Sequence, residues 1–200
     1  MEKCTKKITD WLIRCDAVEE ADRELYEYAV YSIFLTLSPI LLAIVFGFLF
    51  GAIWQSILII LPFIVIRKFS GGYHAKRTGA CLVSSSLLLV LCIVFSFCIK
   101  CNWLLFVFVV LSAVSLVSFS PLENENRMLS REEQICYKKI TAVIVVIFVI
   151  VDLLLFLLHL DTYMICISIG LLLSAGLQFP CILKKLILNS FLKFPCEGES

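Results

Sequence analysis

Residues 30–66 contain no charged side chain, and this run of 37 residues limits the possible folds more than any other feature of the sequence. A single helix of that length would measure about 55 Å, whereas the hydrocarbon core of a bilayer is about 30 Å thick. We therefore expect two shorter helices folded as a hairpin, with the turn near Gly47, Gly51 and Gln55. Pro62 predicts a kink in the second helix. Whether residues 52–66 cross the bilayer or re-enter it stays open.

Two further pairs of apolar segments follow, within residues 82–119 and 140–179. All of these runs are continuously apolar, whereas a membrane strand alternates apolar and polar residues. Hydrophobic residues make up 61% of the chain and its mean hydropathy is +1.01, more than the interior of a soluble domain can bury. The sequence therefore predicts an all-α, polytopic integral membrane protein with about six transmembrane helices in three hairpins.

The polar segments complete one membrane domain that extends over residues 1–200. The spacing of apolar residues in 1–29 predicts an amphipathic arm on the membrane surface, and the tail 180–200 is interpreted in the same way. Between them lie two polar loops, residues 67–81 and 120–139.

The lysines and arginines are distributed unevenly between the two sides of this predicted topology. Sixteen of the 17 fall in the arm, the two polar loops and the tail, whereas Lys100 alone falls on the other side. Cationic residues concentrate in the cytoplasmic segments of membrane proteins. We therefore predict a multi-pass protein of the cell membrane, with both termini and both polar loops in the cytoplasm.

The loop 67–81 contains one of the two histidines and a cysteine seven residues after it. On one continuous helix His74 and Cys81 would lie about 10 Å apart, too far for the contact of about 3 Å that proton transfer requires. A working pair therefore needs His74 on a non-helical segment folded back over the cysteine, and Gly71-Gly72 supply the backbone freedom for it. Thr78 is a candidate N-cap that would place Cys81 in the first turn of a helix.

A thiolate is the nucleophile in cysteine catalysis, and cationic surroundings favour its formation. The helix dipole, Lys76, Arg77 and a protonated His74 would all act in this direction. The alternative is that His74 and Cys81 are ordinary residues of an interfacial loop, and their spacing alone favours that alternative. Half of the ten cysteines lie in or at the edges of apolar segments, where a thiol behaves as a small apolar group, so a disulfide scaffold or zinc site is not expected. No metal or other cofactor is predicted.

Two motifs resemble the accessory gene regulator B family, integral-membrane cysteine peptidases that process quorum-sensing pro-peptides in Gram-positive bacteria. The first motif is Arg67…Gly71-Gly72-Tyr73-His74-Ala75-Lys76…Cys81, and the second is the loop Ser120-Pro121-Leu122-Glu123-Asn124-Glu125-Asn126-Arg127-Met128-Leu129-Ser130. The resemblance covers most of the chain, and the first motif is the more specific of the two. The resemblance, rather than the spacing, turns the interpretation towards a catalytic site.

The resemblance implies a reaction. Cys81 would attack a peptide bond of the pro-peptide, form an acyl-enzyme thioester and release the C-terminal tail. His74 would activate Cys81 and protonate the leaving amine. An internal cysteine or serine of the substrate would then close a thiolactone or lactone ring.

The resemblance also implies roles for neighbouring residues. Arg67 and Gly72 match positions needed for activity; we assign Arg67 to a substrate carboxylate or the oxyanion, and Gly72 to the shape of the loop. Glu123 and Asn124 are the candidates to orient the ring of His74, and a dyad without a third member is the alternative.

The resemblance implies a pro-peptide partner with an amphipathic leader and an acidic tail, which cationic loops would attract. By analogy, two copies of the chain are expected to form a homodimer. Membrane lipid is the other expected partner, and no nucleic-acid partner is expected. The rival hypotheses are a small peptide transporter that does not cut its cargo and a non-catalytic scaffold. Charged or broken helices near mid-bilayer typify transporters, and only Asp152 and Pro62 qualify. We expect Asp152 to serve in packing or hydrogen bonding.

Overall fold

The computed structural model describes residues 2–70, 78–121 and 130–192, and the regular elements in these ranges are helices. A short 3-10 helix at Glu20–Asp22 precedes the second of seven α-helices. These are α1 (Glu2–Arg14), α2 (Arg23–Leu49), α3 (Ile53–Ser70), α4 (Thr78–Cys98), α5 (Trp103–Phe119), α6 (Arg131–Leu157) and α7 (Asp161–Leu192). The all-helical fold class is confirmed.

Four helical segments are long and apolar enough to cross a membrane. They are Glu20–Leu49, Ile53–Ser70, Arg131–Leu157 and Asp161–Pro180, and two shorter apolar segments, Ser84–Cys98 and Trp103–Phe119, accompany them. Large apolar side chains such as Phe48, Phe108 and Leu154 point outward from the bundle. A contiguous apolar exterior of this kind requires lipid around it, so the chain is a membrane protein. Its described ranges contain four candidate spans, where the sequence predicts about six.

Helix α7 is the central element and packs against α3, α4, α5 and α6. Its contact with α3 is backbone to backbone at Gly170. A Cβ added to Gly170 would overlap the carbonyl oxygen of Ile59 and the ring of Pro62. Small residues at such a crossing allow two membrane helices to approach closely. Glycine at this position therefore brings the two helices together near the middle of both.

Consecutive helices differ in how they pair. Helices α2 and α3 pack together and are joined at residues 50–52, where Gly51 adopts the left-handed φ of +62° that favours glycine. Helices α6 and α7 also pack together. By contrast, α4 lies against α2, α3 and α7, and α5 lies against α6 and α7. The two helices of the predicted hairpin 82–119 thus have different principal neighbours: α4 packs mainly on α2, whereas α5 packs mainly on α7 and α6.

The predicted terminal segments contain more than one structural element each. The amphipathic arm predicted over residues 1–29 is formed by α1 and the first residues of α2, separated after α1, where Asp16 has a φ of +53°. At the other end, α7 continues through Pro180 to Leu192, across the predicted boundary at residue 180. Proline is tolerated in membrane helices when neighbouring groups satisfy the freed carbonyl.

Helix α1 packs on α2, and an ion-paired arginine holds the two together. Arg23 Nη1 donates to Asp10 Oδ1 at 2.6 Å, and Arg23 Nε donates to Glu20 Oε1 at 2.8 Å. Ile8 and Trp11 remain exposed on α1, and Trp11 keeps 61% of its accessible surface. An amphipathic helix with an exposed apolar side suits the surface of a membrane.

Candidate functional site

The polar motif singled out in the sequence lies between the end of α3 and the beginning of α4. Its central residues, Gly71, Gly72, His74, Lys76 and Arg77, fall outside the described residues. Glu123 and Asn124 of the second polar loop also lie outside them. What the structure supplies is therefore the framework around both loops, together with Arg67 and the helix that carries Cys81.

Cys81 lies in the first described turn of α4, which extends over Thr78–Cys98. Thr78 as the N-cap stays a prediction, because residues 71–77 lie outside the described ranges. The first turn of a helix carries backbone N–H groups without helical partners and the positive end of the helix dipole. Such a position generally favours the thiolate form of a cysteine.

Arg67 lies in the last turn of α3, where it is partly exposed. Its guanidinium carbon is 5.3 Å from the centroid of the Phe63 ring, one turn earlier, and Lys68 Nζ is 5.8 Å from the centroid of Phe69. Cations at the C-terminal end of a helix are stabilised by its dipole. Two positive charges therefore lie immediately before the glycine pair.

The beginning of α6 lies beside the end of α3. The rings of Phe69 and Tyr137 have centroids 6.2 Å apart. Ser130 forms a capping box, in which the backbone N–H of Glu133 donates to Ser130 Oγ at 3.2 Å and that of Ser130 donates to Glu133 Oε2 at 2.9 Å. This motif fixes the first residue of α6 and therefore the point at which the second polar loop ends.

Lys138 and Lys139 are exposed on α6, about two turns after its first residue. They lie at the end of the bundle that also holds Arg67 and Lys68. The cationic surface predicted for the two loops therefore has four of its members on described helices. Such a concentration of one charge sign attracts anionic groups over several ångströms.

Sequence reasoning missed a buried hydrogen bond near the same end. Gln178 Nε2 donates to Ser120 Oγ at 3.1 Å, and both side chains are buried. The available signal was that Gln178 is the one amide side chain within the apolar run 162–179. A polar group within a membrane helix is a functional candidate by default.

Sequence reasoning also overlooked the spacing Cys98-x-x-Cys101, at the opposite end of the bundle. Cys98 is exposed and Cys101 is partly buried, and both thiols are free. Burial, and then a hydrogen bond with Asp161, raises the pKa of Cys101 to about 11. Cys101 is therefore a protonated thiol at neutral pH and a weak nucleophile.

Asp152 is fully buried between α6 and α7, and Ser168 Oγ donates to its two carboxylate oxygens at 3.0 and 3.2 Å. This confirms the expected hydrogen-bonding role. The carboxylate lies near the end of α6 that is remote from the polar loops. Within the described ranges no group of three or more His, Cys, Asp or Glu side chains could hold a metal ion.

Comparison with known proteins identifies one family. The family model described as "AgrB: Accessory gene regulator B" matches residues 5–180. The chain is 25% identical over 171 residues to the "Putative AgrB-like protein" of Clostridium perfringens (strain SM101 / Type A), covering 80% of this chain and 79% of that protein. It is also 25% identical over 121 residues to the "Putative AgrB-like protein 2" of Clostridium perfringens (strain 13 / Type A), covering 56% of each. No solved structure matches the chain.

Proposed function

Because this chain belongs to the accessory gene regulator B family, which takes part in quorum-sensing processing, we propose that it is a membrane cysteine endopeptidase. Its substrate is a quorum-sensing pro-peptide, from which it removes the C-terminal tail. The observation that carries the proposal is the family match over residues 5–180, which includes both polar loops. The position of Cys81 at the beginning of α4 supports it.

In this proposal Cys81 is the nucleophile. Its thiolate attacks the carbonyl carbon of the scissile peptide bond, and the unpartnered N–H groups of the first turn of α4 help to stabilise the negative charge. His74 takes the thiol proton and gives it to the leaving amine. The products of this half-reaction are a Cys81 thioester and the free C-terminal tail.

The second half-reaction is an acyl transfer. A cysteine or serine within the pro-peptide attacks the thioester and closes a thiolactone or lactone, which frees the Cys81 thiol. Transfer to an internal nucleophile rather than to water requires a site with limited access to water. A site at the end of the helix bundle, at the membrane boundary, meets this requirement.

The proposed topology has six spans in the cell membrane, with both termini and both polar loops in the cytoplasm. Helix α5 supports it, because its 17 uncharged residues measure about 26 Å and nearly match the hydrocarbon core. The distribution of lysine and arginine supports it as well, with Lys100 alone on the outer side.

Substrate binding is proposed on the cationic end of the bundle. Arg67, Lys68, Lys138 and Lys139 attract the acidic tail of the pro-peptide, and Arg67 is placed to contact a carboxylate or the developing oxyanion. The leader of the pro-peptide shares the inner membrane surface with α1. Two copies of the chain form the working unit, by analogy with the family.

The test uses the purified protein in lipid nanodiscs and a synthetic pro-peptide with an amphipathic leader, a short cysteine-containing core and an acidic tail. We expect Cys81→Ala and His74→Ala each to abolish cleavage while the protein still inserts, because each removes one half of the proton-transfer pair. Mass spectrometry of the wild-type protein should detect pro-peptide bound to Cys81 as a thioester.

The matched control is Cys136→Ala, which removes an exposed thiol on α6 and should leave cleavage unchanged. Full cleavage by the Cys81→Ala variant would refute the assignment. Transport of uncut pro-peptide into the interior of sealed vesicles would instead support the transporter hypothesis.

A further inference from the structure

Towards the end where the polar loops lie, α3 and α6 each carry a buried polar residue one turn beyond a buried apolar residue, and the C-cap of α5 is a buried polar residue in the same position. In α7 the corresponding buried polar residue lies two turns beyond a buried leucine, and Ile182 is buried one turn further on. The apolar residues Ile66, Leu116, Val145 and Leu171 belong to one buried cluster. Steps of four or seven residues along a helix stay on one face. Such steps lead from Ile66 to Ser70, from Leu116 to Ser120, from Val145 to Thr141 and from Leu171 to Gln178. Each of the four polar side chains retains at most 5% of its accessible surface. We name these four residues the buried polar layer.

The contacts between helices place the members of this layer at a common level. The bond between Ser168 and Asp152 sets the antiparallel register of α6 and α7. Thr141 lies about three turns before Asp152 on α6, and residue 179 lies about three turns after Ser168 on α7. Thr141 is therefore level with residue 179, next to Gln178. Gln178 itself is bonded to Ser120. The ring contact of Phe69 with Tyr137 places the end of α3 beside the same part of α6.

The layer is incompletely satisfied. Gln178 Nε2 donates to Ser120, but Gln178 Oε1 and Thr141 Oγ1 are buried without a hydrogen-bond partner among the described residues. A buried acceptor without a donor destabilises the folded protein. An apolar side chain at position 178 would avoid this cost, so a chain that needed only a packed helix end would do better without the amide.

Two members of the layer also border the polar loops in the chain. Ser70 directly precedes Gly71 and Ser120 directly precedes Pro121, so the layer lies at the entrance to both polar loops. An extended peptide presents one main-chain N–H per residue, and each needs an acceptor when it leaves water. The orphan carbonyl of Gln178 offers the acceptor that such a substrate lacks.

We infer, on the basis of the proposed peptidase function, that Gln178 is a substrate-binding residue of this protein. Its Oε1 accepts a hydrogen bond from a main-chain N–H of the pro-peptide close to the scissile bond. Its Nε2 remains bonded to Ser120, which fixes the direction of the amide. Gln178 thus binds the peptide backbone of the substrate. Its contribution to substrate binding is therefore independent of the side chains of the pro-peptide.

The test combines one substitution with a backbone change in the synthetic pro-peptide. A series of pro-peptides carries a single ester in place of each amide near the cleavage site, which removes one N–H donor at a time. With the wild-type protein in nanodiscs, we expect one ester position to lower kcat/KM about tenfold, the value of one neutral hydrogen bond. With Gln178→Leu, kcat/KM should fall about tenfold on the all-amide peptide, and that ester should cause no further loss.

Two variants separate binding from packing. Gln178→Glu keeps an acceptor oxygen and should keep the sensitivity to the ester, whereas Gln178→Met, close in size to glutamine, should lose it and replaces the leucine variant if that one fails to fold. Ser174→Ala is the matched control, because it removes a buried hydroxyl one turn earlier that already donates to Gly170 O at 2.9 Å. It should leave kcat/KM and the ester sensitivity unchanged.

The same combinations of a substitution at position 178 and an ester pro-peptide are also compared in the Cys81→Ala variant, which does not cleave. Binding is measured there by fluorescence polarisation. Coupling between position 178 and one ester in this assay supports the inference even if the wild-type protein does not cut the peptide, in which case the proposed function alone fails. Two results would overturn the inference and leave the proposed function intact. In the first, the wild-type protein cleaves the peptide, but the loss from Gln178→Leu and the loss from the ester multiply at every ester position. In the second, Gln178→Leu has full activity.

Discussion

Gly170 is the residue that most directly fixes how the two inner helices meet. No side chain fits between its Cα and the backbone of α3, because the carbonyl oxygen of Ile59 and the ring of Pro62 occupy that space. Gly176, on the same helix, has no atom within 4 Å of the position of an added Cβ. The two glycines therefore offer a matched pair of positions on one helix.

We expect Gly170→Ala to destabilise the protein by about 1–3 kcal/mol, because the added methyl must displace backbone rather than a flexible side chain. Gly176→Ala should be neutral or stabilising by up to about 1 kcal/mol, since alanine is the better helix former. Thermal unfolding in detergent measures both. A Gly170→Ala variant as stable as Gly176→Ala would show that α3 and α7 are not in this close contact.

At the scale of the element, the start of α6 is defined by its own sequence. Ser130 and Glu133 satisfy each other's backbone N–H groups, and the same helix later buries Thr141, Val145 and Asp152. The cap lies directly after the second polar loop, so the position at which the loop ends depends on it.

We expect Ser130→Ala to cost about 1 kcal/mol, because it leaves the N–H of Glu133 without its partner. The loss should be confined to the first turn of α6, and hydrogen exchange of amides 131–134 is the measurement. Ser130→Asp keeps an acceptor at the same position and should retain protection. Equal exchange in all three proteins would mean that the capping box does not hold this turn.

At the scale of the whole molecule, four exposed cysteines report on the proposed topology. Cys4, Cys15 and Cys136 lie at the end of the bundle that bears the cationic loops, and Cys98 lies at the other. In intact cells that express single-cysteine variants, a membrane-impermeant maleimide should label Cys98 alone. The other three should react only after permeabilisation. Labelling of Cys136 from outside, with Cys98 protected, would invert the orientation.

Much of the fold could be predicted from the sequence because lipid leaves few alternatives. Continuously apolar runs become helices in a bilayer, and the turn at Gly51 agrees with its expected place. The partners of α4 and α5 could not be predicted, since uniformly apolar helices carry little information about which face is buried. The extent of α1 and the passage of α7 through Pro180 depend on contacts with neighbouring helices, which local spacing does not encode.

The candidate site likewise has a part that the sequence could predict and a part that it could not. The resemblance of the two motifs pointed to the chemistry of Cys81 and His74, and the dyad and its neighbours stay predictions. Gln178 was missed because a single amide in an apolar run has no periodicity to reveal it. Its burial and its bond to Ser120 become visible only when two helices distant in sequence are brought side by side.

The helices of this bundle differ greatly in length. Helices α2 and α6 have 27 residues each, about 40 Å, whereas α5 has 17, about 26 Å. The excess length belongs to the charged first turns of α2 and α6, which include Glu27, Lys138 and Lys139 and extend beyond the hydrocarbon core. A thicker membrane would bring these charges towards the lipid chains. Lipid chain length is therefore a variable that acts on this protein without touching its site.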